Sequence, residues 1–168
     1  MALFKKIFGK KEDKVSTGFY NLPVHTVEKD TDETTVITLD IPQDLRTTFQ
    51  FKAGQYLTGN FKTKHGDLHR SYSICSDPAD NSRIQIACKK IEGGKVSSYI
   101  NDELQAGIEI EFMKPTGNFV LNSNAKKISA ICAGSGVTPI MSMIKQIERE
   151  GNMTMDLLKI KFKVSIDV

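Results

Sequence analysis

"RSYSICS", residues 70–76, sets an arginine, a tyrosine and serines among residues that favour strands. In an extended chain alternate side chains share a face, so Arg70 and Tyr72 point the same way and a slight twist brings Ser73 round to join them. A strand that only fills a core has no use for a cation there. The guanidinium suits a phosphate and the tyrosine ring suits an aromatic plane. Taken alone, the stretch has an ordinary reading as well: an edge-strand arginine beside a surface tyrosine.

Working outward, the same period of two runs from about residue 20 to 121. Ile37, Leu39 and Ile41 alternate with Thr38 and Asp40, and Ile84, Ile86 and Cys88 alternate with Gln85, Ala87 and Lys89. In "GIEIEFM", Ile108, Ile110 and Phe112 alternate with two glutamates. These are half-buried strands, punctuated by "IPQDL", "KHGD", "SDPADNS", "EGG", "QAG" and "KPTGN" at the spacing of an antiparallel barrel or sandwich. One helix interrupts them, at about "SSYINDELQ".

After residue 122 the pattern changes. The nearly unbroken apolar run from Ile128 to Ala133 predicts a parallel strand covered on both faces. Thr138 is placed to cap the helix that follows, with Pro139 at its first position, Ile140, Ile144 and Ile147 on its buried stripe, and Gly151 ending it. Strand, glycine turn and helix open an α/β nucleotide-binding domain, with the boundary at 121–127. The tail "LKIKFKVSIDV" alternates apolar residues with lysines, serine and aspartate, unlike a second strand buried on both faces.

Composition bounds the function. A net charge of +3 over 168 residues is too mild for a nucleic-acid partner, though small anions fit. Cys75, Cys88 and Cys132 are odd in number, lack metal-ligand spacing and sit in apolar runs, so they are expected as buried free thiols in the cytoplasm. Residues 1–18 have too short an apolar stretch for a signal peptide or membrane span and are expected to be a flexible basic terminus. His25, His65 and His69 form no ligand pair, and Met141, Met143, Met153 and Met155 are expected to fill core.

Two further elements suit phosphate. Gly93 and Gly94 precede a helix entered through Ser97 and Ser98, leaving backbone N–H groups and hydroxyls at its start. "AGSGVTP", residues 133–139, is a glycine turn between a parallel strand and a helix N-terminus. Each has a plain structural reading, a capped helix or a tight βα turn. Three in this order within about 70 residues are improbable as coincidence.

R-x-Y-S at Arg70–Ser73, G-x-x-S at Gly94–Ser97, "PTGNF" at Pro115–Phe119 and G-x-G-x-x-P at Gly134–Pro139 resemble the ferredoxin–NADP⁺ reductase superfamily, in this order over residues 20–150. "RSYSICSDP" with "CKKIEGGKVSSYINDEL" is similar to the NAD(P)H-dependent reductase components of bacterial oxygenases. The resemblance implies an all-β six-stranded antiparallel flavin-binding barrel with one helix (residues 19–122), followed by the start of an α/β nucleotide-binding domain (residues 127–168). It implies FAD, FMN less readily, held by Arg70 at the pyrophosphate, Tyr72 against the flavin and Ser73 near N5. Gly94, Lys95, Val96 and Ser97 would clamp the phosphates, and Cys88, Lys89 and Lys90 would line the ribityl chain through their main chain.

Thr138 would stand where nicotinamide meets flavin, with Gly134, Ser135, Gly136 and Pro139 on the nucleotide side. Ser73 and Tyr72 would be the catalytic pair, and NAD(P)H the co-substrate. The partner would be an iron–sulfur or oxygenase acceptor whose 2Fe-2S cluster lies outside this chain. Members of the superfamily continue for roughly another hundred residues, so the nucleotide domain is expected to be truncated or altered after about residue 152 and reduction by NAD(P)H to be impaired. The alternatives are a flavin-binding module without turnover of its own and a small β-barrel that docks an acidic partner.

Overall fold

The computed structural model describes residues 18–122 and 124–159. The strands β1 (Phe19–Thr31), β2 (Thr34–Asp40), β3 (Tyr56–Thr63), β4 (Gly66–Ser73), β5 (Arg83–Lys89) and β6 (Glu109–Met113) form one antiparallel sheet in the order β4-β3-β6-β1-β2-β5. β1 serves two neighbours, pairing with β6 over Phe19–Pro23 and with β2 from Val24 onward. The outer strands meet where Ile74 bridges Ile86 and the Cys75 N–H donates to the Gln85 carbonyl at 2.8 Å. The sheet thus curls into the expected barrel, which removes the open edges that would otherwise pair with another chain.

The period-two runs set the core. Ile37, Leu39, Leu57, Phe61, Ile74, Ile84, Ile86 and Phe112 are all essentially inaccessible to solvent. Gly59 makes room at the centre: a Cβ there would lie 2.6 Å from the Phe112 ring, which packs edge-on against Phe61 with centroids 6.1 Å apart. The helix α1 (Lys95–Asp102), between β5 and β6, begins two residues before the predicted Ser97 and closes the barrel with Val96 and Ile100.

A second sheet follows. β7 (Lys127–Cys132) leads through a 3₁₀ turn at Gly134–Gly136 into α2 (Val137–Glu150), and β8 (Thr154–Lys159) returns parallel to β7. That pairing revises in one respect the expectation of an altered chain after about residue 152: Thr154–Lys159 forms a parallel strand, residue by residue, while the rest of the alternating tail lies outside the described residues. The basic terminus at 1–17 also lies outside them.

Three further expectations need correction. The 3₁₀ turn takes over the start of α2, so Thr138 and Pro139 fall at its second and third positions, and the Thr138 hydroxyl donates to the Ser135 carbonyl at 2.7 Å instead of capping. β7 is covered on one face only among the described residues: Ala130 and Cys132 pack on α2, while Ile131 is 70% exposed. Met143, Met153 and Met155 pack inward, but Met141 is exposed. All three cysteines are free and buried.

α2 is fastened to the barrel along one face. The fully buried Ser142 hydroxyl donates to the Ser76 carbonyl at 2.7 Å, Lys145 reaches Gln85 at 3.4 Å, and Arg149 pairs with Asp77 at 3.0 Å. Thr138 lies one turn before Ser142, so this face aims it back at the barrel.

Candidate functional site

A cleft of about 390 Å³ opens between the barrel and the start of α2. Strand pairing fixes its floor. Arg70 stands opposite Gly59 and Tyr72 opposite Leu57, on the same side of β4. The half-buried Tyr72 ring meets Phe61 edge-on at 5.8 Å, and its hydroxyl accepts the Cys88 thiol at 3.5 Å. Burial drives the Tyr72 phenol far above its ordinary value, helped by the Cys88 contact, and burial also pushes the Cys88 thiol up. Both stay neutral at physiological pH, so Tyr72 offers a plane and not a charge.

The charges at the cleft sort clearly. Lys89 is paired with Glu33 at 3.2 Å. Arg70 and Lys95 make no ion pair among the described residues, and the only side-chain bond of Arg70 there goes to the His69 carbonyl at 2.7 Å. Ser73 is half-buried and makes no side-chain hydrogen bond among them.

The first turn of α1 forms the wall facing Arg70. Its first backbone bond runs from Ser98 N–H to the Gly94 carbonyl at 2.9 Å, so the N–H groups of Lys95, Val96 and Ser97 have no acceptor within the helix. A Cβ at Gly94 would sit 2.2 Å from the Ser97 Oγ and 2.5 Å from the Ile91 Cγ1, so a side chain there would have to push both aside. The Ser97 hydroxyl is engaged inward: it accepts from Ile91 N–H and donates to the Gly94 carbonyl, both at 3.3 Å. Val96 is a core residue at 2% exposure and meets the cleft at its edge.

Of the sequence-predicted residues, the cleft gathers Arg70, Tyr72, Ser73, Lys89, Gly94, Lys95, Val96 and Ser97 with Ser135 and Thr138. Gly134, Gly136 and Pro139 are not on its lining. Lys90 turns away into an ion pair with Asp102 at 2.6 Å. Sequence reasoning passes over Asn101, although helical spacing exposes it: Ser97, Ile100, Asn101 and Leu104 are the buried face of α1 and its exit, and an amide in such a stripe needs partners. An adjoining cleft of about 220 Å³ lies past Lys95, between the β3–β4 turn and Tyr99.

Cation, free N–H groups and aromatic plate on one cleft fit a phosphate-bearing aromatic ligand. Similarity to known proteins points the same way. A family model described as "Oxidoreductase FAD-binding domain" matches residues 21–121. The chain is 36% identical over 145 residues to a component of the 1,2-phenylacetyl-CoA epoxidase of Escherichia coli (strain K12), covering 83% of this chain and 40% of that one. It is 34% identical over 110 residues to the ferredoxin reductase component of 3-ketosteroid-9-alpha-monooxygenase from Mycobacterium tuberculosis (strain CDC 1551 / Oshkosh), covering 65% and 31%. The chain thus spans well under half the length of these relatives.

Among solved structures it superposes on phthalate dioxygenase reductase with a TM-score of 0.75 at 30% identity, over 87% of this chain and 44% of that one. A ferredoxin NADP⁺ reductase from Neisseria gonorrhoeae shares the fold, with a TM-score of 0.71 at 24% identity over 84% and 57%. No helix among the described residues is long and apolar enough to cross a membrane. By its matched domain, its barrel and its relatives, the chain belongs to the oxidoreductase FAD-binding domain family of the ferredoxin reductase superfamily.

Proposed function

We propose that the chain is the flavin-binding part of an NAD(P)H-dependent reductase component, with residues 19–122 as the flavin domain and the nicotinamide-nucleotide domain starting at 127. The observation that carries the reading is the pairing of an uncommitted Arg70 with the free first-turn N–H groups of α1 across one cleft. When bound, the flavin supplies a hydride acceptor and a one-electron donor.

The chain's own residues bind and orient. Arg70 and Lys95 balance the phosphate charge, and the N–H groups of Lys95, Val96 and Ser97 take up its oxygens. Tyr72 presents a rigid ring braced by Phe61, and Ser73 offers a hydroxyl at the reacting edge. Lys89 is steadied by Glu33 and closes the ribityl side. Thr138 and Ser135 form the opposite wall, where a nicotinamide would enter, and Gly134, Gly136 and Pro139 shape the turn behind them.

FAD is favoured over FMN because the second cleft, past Lys95, is lined by His65, Ser98 and Tyr99 and offers a place to an adenosine half. The likeness to reductases of oxygenases supports an iron–sulfur or oxygenase acceptor, and phenylacetate breakdown as the setting, while the three free thiols favour the reducing cytoplasm. The direct test is titration of the apo-protein with FAD, read by flavin fluorescence. Arg70→Ala is expected to weaken binding by about 1.5–3 kcal/mol, the range for a hydrogen bond to a charged group. Equal affinities for parent and variant would remove Arg70 from the site.

A further inference from the structure

Asn101 is 7% exposed and sits on the inward face of α1. Its carboxamide uses both hydrogens and both lone pairs. Nδ2 donates to the Ser97 carbonyl at 2.9 Å and to the Cys88 carbonyl at 3.3 Å. Oδ1 accepts from the Thr35 hydroxyl at 2.8 Å and from Lys29 Nζ at 3.1 Å. A buried amide with every capacity filled has one orientation, and moving it breaks several bonds at once.

The two halves of the amide do different work. The oxygen is anchored to β1 and β2 through Lys29 and Thr35. The nitrogen holds two carbonyls on either side of the loop at 90–94, Cys88 near the end of β5 and Ser97 in the first turn of α1. This loop carries Gly93, with φ at +69°, and Gly94, which is packed against Ile91 and Ser97. The Ser97 hydroxyl holds the loop from within, through Ile91 N–H and the Gly94 carbonyl, and the Asn101 amide adds a brace from outside it that reaches back to β5.

We infer that Asn101 is a positioning residue: by tying the Cys88 and Ser97 carbonyls together it fixes the first turn of α1 against the end of β5, and with it the seat of a flavin phosphate. This rests on the proposed flavin site, and it makes a demand that ordinary structural support does not. Removing the brace has to weaken ligands that carry phosphate and spare riboflavin, which has the same ring system and ribityl chain without it.

The experiment compares binding of FAD, FMN and riboflavin to the full chain and to Asn101→Ala and Asn101→Asp, with folding checked by far-ultraviolet circular dichroism. Aspartate keeps the acceptor side for Thr35 and Lys29 and loses both donors. Loss of about one hydrogen bond's worth of alignment predicts roughly tenfold weaker FAD and FMN binding for either variant, with riboflavin unchanged to within about twofold. Equal losses for all three flavins, or none for FAD and FMN, would overturn the positioning role while leaving the flavin site standing. A parent chain that binds no flavin would overturn both. Should the alanine variant fail to fold, the aspartate variant decides: an unchanged ratio of FMN to riboflavin affinity overturns the inference.

Discussion

The barrel and the β7–α2–β8 unit solve the same problem with different means. The barrel's strands bury one continuous core, sealed at one side by Val96, Ile100 and Leu104. The second unit buries Ala130, Cys132, Ile140 and Met143, and it borrows Ala53 from the barrel to do so. Ile131 and Leu158, paired across β7 and β8, face away from α2 and stay exposed among the described residues. One region is held by its own apolar surface. The other is held by its attachment to the first, through Ser142, Arg149 and Met143, and the cleft lies where they join.

The strongest way to break this comparison is to empty the barrel's centre. Phe112 is fully buried and edge-on to Phe61. Phe112→Ala is expected to cost about 3–5 kcal/mol, the loss typical of removing a buried ring and leaving a cavity. Urea unfolding followed by circular dichroism should show both regions melting in one transition at a lower midpoint. A β7–α2–β8 signal that outlasts the barrel would show that the second unit stands by itself.

Next in size is the joint. Gly54 has φ at +100°, and a Cβ there would lie 2.0 Å from the Phe119 carbonyl oxygen and 2.6 Å from Met143 Cε. Gly54→Ala therefore adds strain in a region L-residues avoid and forces backbone or α2 to move, for about 2–4 kcal/mol. Amide exchange should rise first in α2 and β7, because Met143 is the side chain displaced. A uniform rise across the barrel instead would mean that the joint is part of one core.

The barrel and its half of the cleft are readable from sequence, because period-two alternation and the Arg70-to-Ser73 pattern are local. A strand's face and a ligand-facing residue on it follow from neighbours two apart. What is not readable depends on contacts far along the chain. Ser142 meets Ser76 across 66 positions, and no local pattern announces that bond. Thr138 reads as a cap because Gly134–Gly136 gives no sign that it will coil into a 3₁₀ turn and start the helix early. The run at 128–133 predicts cover on both faces, yet an apolar strand states only what it would bury, not what is there to bury it.

A smaller test separates fastening from packing. Ser142→Ala removes the 2.7 Å bond to Ser76 and leaves that buried carbonyl without its partner, for about 1–3 kcal/mol. Ser142→Thr keeps the hydroxyl and should lose less. If the attachment holds the second unit, exchange protection in α2 drops while β2 and β5 keep theirs. Equal behaviour of the alanine and threonine variants would assign the site to packing alone.

The smallest expected effect falls on the exposed face. Ile131 is 70% exposed and Leu158 57% exposed, so replacing Ile131 with threonine removes little buried apolar surface. Threonine also keeps the β-branch that suits a strand. Ile131→Thr should therefore change the unfolding free energy of this chain by no more than about 0.5 kcal/mol, as for surface positions generally. Leu22→Ala, at a fully buried position in β1, is the matched control and should cost about 2–5 kcal/mol. The contrast is informative because large apolar patches left open usually meet a partner. A loss above about 1 kcal/mol for Ile131→Thr is far beyond a surface effect. It would show that this face of the β7–β8 sheet is covered in solution, and the second unit would then be a packed layer in its own right and not an appendage of the barrel.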